Sequence, residues 1–354
     1  MPRDIQGLSR AELEAWCTAA GEPRYRAPQI LAWVHRKDAG SFDAMSSLSR
    51  VLRAKLAAEF TLDRLAPAFV ATAADGTRKL LFHLPAEEGG RAASIESVLI
   101  PQFERADGAR DRLTLCISSQ AGCGMGCAFC ATARMGLVRN LRPGEIVGQV
   151  RAGRAVAAPR AITNVVLMGM GEPLANYDAV RTALEILTAE WGQAISPRRI
   201  TASTVGLAPM IPRLIAETRV NLAVSLSGTT DAQRARLMPV NRRWPLAELL
   251  EAARDYGRVS GRRVTLEYTL IADVNDRAED ADRLAAMARD LPSKINLIPY
   301  NPVPGLPYRR PAPEAVEAFA LSLYPRAPSV TVRQTMGGEI WAACGQLGGL
   351  DAGA

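Results

Sequence analysis

The sequence predicts an α/β chain: a partial (β/α)6 TIM-like barrel behind a small helical N-terminal domain. Three observations lead there. Short apolar segments, several rich in β-branched residues, recur six times, at Leu113–Ser118, Asn164–Met168, Arg199–Ser203, Asn221–Leu226, Val264–Leu270 and Lys294–Ile298. Amphipathic helical patterns such as ANYDAVRTALEILTAEW, PLAELLEAARDYGRV and DRAEDADRLAAMARDL lie between them, the alternation of a parallel sheet with crossover helices. Residues 1–65, by contrast, are polar and helical in pattern. Six units rather than eight leave the barrel incomplete, with functional groups at the strand C-terminal ends. A doubly wound open sheet is the alternative that the pattern leaves open.

Taken in order, SRAELEAWCTAA starts at Ser9 with Glu12 three positions on, the capping-box spacing. GEPRYRAPQILAWVH supplies a loop and a second amphipathic segment, and SLSRVLRAKLAAEF a third helix. Residues 66–108 hold alternating stretches, TRKLLFHL and SIESVLIP, expected to form an antiparallel hairpin or two. The barrel is assigned to 109–335, ending in the strand SVTVRQT, and a tail to 336–354. NPVPGLPYRRPAP, from Asn301, is a turn-dense connector.

Three cysteines, Cys123, Cys127 and Cys130, follow the first barrel strand as C-x3-C-x2-C in a loop with Gly122, Gly124 and Gly126. Three thiolates this close suit a metal centre. A structural zinc site closes with four ligands, and the chain has only two histidines, neither nearby. Three thiolates on a four-iron cube leave one iron open to bind a ligand. The second strand runs into MGMGEPLAN, where glycines permit close backbone approach and Glu172 offers an acceptor for an ammonium group. Ser203, Ser225 to Ser227 and Asn301 end later strands on the same rim. Cys116 lies inside the first strand, Cys344 in the tail motif GGEIWAACGQL, and Glu96 in SIESVLIP. Cys17, in the helical domain, reads as a buried core thiol.

With 48% hydrophobic and 22% charged residues the composition is that of a soluble globular protein. No apolar run is long enough to span a bilayer, so no membrane partner is expected. The start MPRDIQGLSRAELEAW lacks the apolar core of a secretion signal. Cysteines needed as thiolates place the protein in the reducing cytoplasm. Nothing in the sequence demands an obligate dimer, so a monomer is expected. The net charge of +7 favours an anionic partner, and six arginines against one acid fall between Arg134 and Arg160. A solvated helix face is the competing meaning of that run.

The spacing C-x3-C-x2-C, with Phe129 before the last cysteine, is similar to the radical S-adenosylmethionine (SAM) signature. The ordered series GEPRYRAPQILAW, CISSQAGCGMGCAFCATA, RNLRPGEI, LMGMGEPLAN, LMPVN, KINLIPYNPVPG and AACGQL resembles the adenine-methylating RlmN/Cfr group of radical SAM RNA methyltransferases over nearly the whole chain. The resemblance implies a radical SAM barrel, a 4Fe-4S cluster on Cys123, Cys127 and Cys130, and SAM contacts from Gly171, Glu172, Ser203, Ser225, Leu226, Ser227 and Asn301. It implies that Cys344 is methylated first, and that its methyl carbon then adds to the adenine ring. Glu96 matches the proposed base that removes the ring proton. Cys116 matches the thiol that releases the product by forming a disulfide with Cys344. The implied substrate is an adenosine of large-subunit ribosomal RNA, methylated at carbon 2, and in RlmN-type members also the transfer RNA adenosine beside the anticodon. An electron-donating reductase is the implied partner, and the helical domain is expected to bind RNA.

Two departures stand out. Ser225-Leu226-Ser227 replaces the usual Ser-Leu-His, and Met336-Gly337-Gly338-Glu339 stands where Arg-Gly-Asp-Asp is usual. They keep two alternatives in view: a Cfr-like carbon-8 methyltransferase, and a non-catalytic cluster-holding RNA-binding protein.

Overall fold

The computed structural model describes residues 2–86, 90–102 and 112–348. The expected boundary between 108 and 109 and the end of the tail beyond 348 lie outside the described residues. Among the described residues the main sheet has ten strands, whose order in space is their order in the chain. They are β1 (Phe69–Thr72), β2 (Arg78–Leu84), β3 (Ala93–Gln102), β4 (Arg112–Cys116), β5 (Asn164–Leu167), β6 (Ile200–Thr204), β7 (Asn221–Ser225), β8 (Val264–Leu270), β9 (Ser293–Pro299) and β10 (Val330–Val332). Neighbours from β1 to β4 are antiparallel. From β4 to β10 every pairing is parallel.

Each parallel step carries a helix between its strands, among them Pro143–Ala157, Tyr177–Thr188, Ile211–Glu217, Leu246–Ser260, Ala278–Arg289 and Pro313–Leu323. A doubly wound sheet reverses its strand order at a switch point. This sheet never reverses, so it is wound one way, as an opened barrel is. Its strands bury both faces in the manner of parallel sheets: Leu115, Val165, Ile200, Leu222, Leu266 and Ile295 are inaccessible on one face, and Cys116, Val166, Ser203, Ala223 and Glu267 are buried on the other. The expected hairpin region does not stand apart, because β1–β3 extend the barrel sheet through the β3–β4 pairing.

The N-terminal module folds around its own core of Leu13, Trp16, Cys17, Ile30, Val34, Leu52 and Phe60. Cys17 is buried there, as its position in an amphipathic helix requires. The capping box is present: Glu12 N donates to Ser9 Oγ and Ser9 N to Glu12 Oε2. Trp191 of the barrel packs against this core. No described helix is long and apolar enough to cross a membrane.

Candidate functional site

The site begins at a small antiparallel ribbon, Gln120–Gly122 with Leu137–Asn140, that brackets the cysteine loop. A Cβ on Gly122 (φ +72°) would sit 1.9 Å from the Gly136 carbonyl oxygen, so only glycine closes this ribbon. The helix Pro143–Ala157 anchors it. Glu145 accepts the Arg142 amide at 2.8 Å and both terminal nitrogens of Arg139 at 2.7 and 2.8 Å.

Inside the strand C-terminal ends lies a cavity of about 1050 Å³, counted out to its mouth. Cys123, Cys127 and Cys130 line one wall. Gly171, Glu172, Ser203, Ser225, Ser227 and Asn301 line the rest, and Cys344 reaches it from the tail. Ten of the thirteen expected site residues therefore share one cavity of ligand size. Leu226 does not: its side chain is buried in the core, and its amide donates to the Glu267 carbonyl at 2.8 Å. Cys116 and Glu96 lie behind the tail instead.

Burial pushes the Cys123 thiol up to about 11, with Cys130 and Glu172 adding to the shift, and pushes Cys127 well above the ordinary thiol range. Three such thiols cannot ionise together without cations among them. Among the described residues no three His, Cys, Asp or Glu side chains gather closely enough for a single ion. Three thiols that line one cavity, near enough to shift one another's ionisation, suit a polynuclear centre, in which separate metal atoms each take a thiolate. The donor set fits a 4Fe-4S cluster.

Glu172 is almost fully buried. Its Oε1 accepts from Leu174 N at 3.0 Å and its Oε2 from Val205 N at 2.8 Å, yet burial still raises its carboxyl to about 7. A ligand ammonium would supply the missing positive charge. Gly171 keeps this turn close to the cysteine ribbon: at φ +95°, a Cβ there would lie 2.5 Å from the Gln120 side chain. Ser203 Oγ donates to Glu267 Oε2 at 3.2 Å. Ser227, in place of histidine, takes φ +47° and is pinned from the next strand loop, its carbonyl accepting Asn275 Nδ2 at 3.0 Å.

The tail is tied down along its length. Gly337 N donates to Asp75 at 2.7 Å, Ala74 N to Glu339 at 2.5 Å, and Asn301 Nδ2 to the Cys344 carbonyl at 3.0 Å. Gly345 O accepts the Ala131 amide at 2.8 Å, one residue past Cys130. Cys344 also borders a second cavity of about 500 Å³, shared with Cys116 and Arg333. Burial, then the neighbouring Cys344, pushes the Cys116 thiol up to about 12. Cys344 in turn holds the Arg333 guanidinium charged, with Glu267 and Cys116 contributing. All six cysteines are free thiols, with no disulfide between Cys116 and Cys344. Glu96 is buried, its Oε1 2.9 Å from Lys79 Nζ and its Oε2 accepting the Gly348 amide at 2.8 Å.

Sequence reasoning missed Lys79, Glu267 and Arg333. For Glu267 and Arg333 a signal exists, since each interrupts an apolar strand pattern, VTLEYTL and SVTVRQT. The arginine run, read as a candidate anion-binding stretch, is largely structural. Arg139 and Arg142 bind Glu145, Arg151 binds Gln6 and Asp38, Arg154 binds Gln193, and Arg134 donates to the Pro304 carbonyl.

Residues 3–62 match the family described as Ribosomal RNA large subunit methyltransferase N-terminal domain, and residues 117–285 the Radical SAM superfamily. Among curated relatives, the dual-specificity RNA methyltransferase RlmN of Anaeromyxobacter sp. (strain Fw109-5) is 49% identical, over 97% of this chain and 90% of its own. The enzyme of the same name from Geobacter sulfurreducens is 47% identical, over 99% and 93%. A radical SAM methyltransferase crystal structure from Sphaerobacter thermophilus superposes with a TM-score of 0.87 at 46% identity, covering 99% of this chain and all of that one. With close to half of its residues identical over nearly the full length of both chains, and ten of the expected site residues on one cavity, this chain belongs to the RlmN family of radical SAM RNA methyltransferases.

Proposed function

We propose that this enzyme methylates carbon 2 of an adenosine in 23S ribosomal RNA and in transfer RNA through a methyl group carried on Cys344. It is a radical SAM RNA methyltransferase whose cofactors are a 4Fe-4S cluster and SAM. One observation carries the reading: Cys344 lies on the wall of the cavity that holds the three cluster-type thiols, with Cys116 across a second cavity behind it. When bound, the cluster and SAM supply the methyl carbon and the one-electron chemistry that activates it.

The chain's own residues divide the remaining work. Cys123, Cys127 and Cys130 hold the cluster. Glu172 takes the ammonium of SAM, while Gly171, Ser203, Ser225, Ser227 and Asn301 border its other polar groups, and Leu226, outside the cavity, anchors the Ser225–Ser227 segment through its amide bond to the Glu267 carbonyl. Cys344 is the thiol that carries the carbon to the ring. Glu96 accepts the ring proton. The Cys116 sulfur then attacks the Cys344 sulfur; the sulfur–carbon bond breaks, its electron pair leaves with the carbon, a proton completes the methyl group, and a transient disulfide remains. An electron-donating reductase restores the thiols and feeds the cluster. Residues 1–65 act as an RNA-binding module, and the enzyme works as a monomer in the cytoplasm.

The test is anaerobic cluster reconstitution followed by nucleoside mass spectrometry of treated ribosomal and transfer RNA. 2-Methyladenosine is the expected product; 8-methyladenosine alone would overturn the position. Cys344→Ala should abolish product, whereas Cys116→Ala should leave protein covalently attached to RNA on a denaturing gel. Free methylated RNA from Cys116→Ala would refute the resolving role.

A further inference from the structure

We infer that Lys79 is the positioning residue of the proton-transfer step, fixing one Glu96 oxygen with its ammonium and leaving the second oxygen turned toward the tail that carries Cys344. The inference rests on the reading of Glu96 as the base, and it concerns what makes that base competent.

Sheet register builds the arrangement. In the β2–β3 ladder Lys79 is opposite Val98, and in the β3–β4 ladder Val98 is opposite Cys116. Paired residues point to the same face, as do residues two apart on one strand. Lys79, Glu96 and Cys116 therefore share one face of three consecutive strands. Lys79 and Glu96 are diagonal neighbours across the ladder, a separation that a long side chain spans. They close it with a 2.9 Å ion pair whose side chains are 6% and 4% exposed.

The two carboxylate oxygens have different surroundings. Oε1 is bound by a lysine rooted in the sheet, while Oε2 accepts the backbone amide of Gly348, four residues beyond Cys344. The fixed oxygen is thus on the barrel side and the other on the tail side. A carboxylate buried this deeply is costly unless a cation pairs with it. With the ammonium on Oε1, Oε2 is the oxygen that becomes available where the tail amide withdraws. A ring carbon bonded to the Cys344 methylene would arrive on that side. Its C–H bond then breaks, the proton goes to Oε2, and the bonding electron pair stays with the ring. Lys79 is one of only four lysines in a chain with 43 basic residues. A compact ammonium suits a one-point contact in a closed space better than a planar guanidinium fork.

The test compares Lys79→Met, Lys79→Arg, Glu96→Gln and the double variant Lys79→Met/Glu96→Gln in the reconstituted full-length enzyme. Four quantities are measured: thermal unfolding, the S-methyl state of Cys344 by peptide mass, covalent protein–RNA adduct, and released methyladenosine. Lys79→Met should keep Cys344 methylated yet release roughly 100-fold less product, the scale of a lost general base, while adduct accumulates as it does in Glu96→Gln. Lys79→Arg should return release to within about tenfold of wild type. The double variant, which removes both buried charges and guards against simple misfolding, should match Glu96→Gln alone, because residues acting through one group are not additive.

Wild-type release from Lys79→Met beside a blocked Glu96→Gln would overturn the inference and leave the proposed function standing. Joint loss of folding and Cys344 methylation in Lys79→Met, absent from the double variant, together with a stalled Lys79→Arg, would reduce Lys79 to a structural partner and also overturn it. Normal turnover by Glu96→Gln would instead remove the base reading itself.

Discussion

Burial raises the Glu172 carboxyl to about 7 although two backbone amides donate to it, and the sign of that shift makes a measurable claim. Below about pH 4.5 the folded and unfolded chains both hold the proton, and the site costs nothing. Between about 4.5 and 7 the unfolded chain releases it while the folded chain retains it. Folded protein then binds more protons, so stability falls as pH rises through this window and levels off above it. The size is roughly 3 kcal/mol. Urea unfolding of the cluster-free, ligand-free chain at pH 5 and pH 7.5 should show wild type losing about 2–3 kcal/mol more than Glu172→Gln. Equal losses would mean that solvent reaches this carboxylate, and would weaken its assignment to a ligand ammonium. The departures from the family pattern also find physical places at this scale. Glu339 keeps a carboxylate that accepts the Ala74 amide, so the altered tail still docks on the β1–β2 turn. Ser227 gives up the imidazole and its titration near neutral pH, but its backbone is held by Asn275.

The ribbon around the cysteine loop makes the comparable claim for an element. Gly122→Ala puts a methyl group 1.9 Å from the Gly136 carbonyl, so ribbon and loop must separate. Iron bound after reconstitution should fall below about half of wild type while the far-UV spectrum of the barrel stays unchanged, since the strain is local. Full iron loading by this variant would show that the ribbon does not set the thiols. Such elements differ in how far the sequence discloses them. The six inner barrel strands were legible to within a residue or two, because β-branched apolar runs alternate with amphipathic helices and each run is buried on both faces, while the closing SVTVRQT is a strand only over Val330–Val332. Asn221 and Val264 begin their strands where the pattern put them. The ribbon strand LVRN was not legible: it is four residues long, largely exposed, and follows Gly136, so no period marks it. The joining of β1–β3 to the barrel sheet was equally hidden, because pairing partners are not encoded in local periodicity. The site residues at strand ends were read by their likeness to known motifs. The Lys79–Glu96 pair, 17 positions apart, needed the register before it could be seen.

Charge decides how the whole molecule meets RNA. The chain carries a net +7, but the arginines after the cysteine loop are mostly committed to the fold. Arg151, with a side chain only 13% exposed, reaches Gln6 and Asp38 and ties the barrel to the N-terminal module. Cations on that module stand outward: Arg36 and Lys37 are exposed at the end of its second helical segment, and the Lys37 ammonium lies 3.7 Å from the Trp33 ring centroid. An aromatic ring beside a cation offers stacking and charge together, which suits unpaired RNA bases and their phosphates. For single strands, each neutralised phosphate contributes about 0.7 to the slope of log affinity against log salt. An Arg36→Ala/Lys37→Ala variant should therefore flatten that slope by roughly 1.4. Arg151→Ala should leave the slope unchanged and lower the unfolding temperature, because it removes a tether rather than a phosphate contact. Filter binding of a transfer RNA anticodon stem-loop across a salt series, beside thermal unfolding of both variants, separates the two effects. The opposite result, a slope changed by Arg151→Ala and untouched by the module pair, would move the RNA track from the helical domain to the barrel flank.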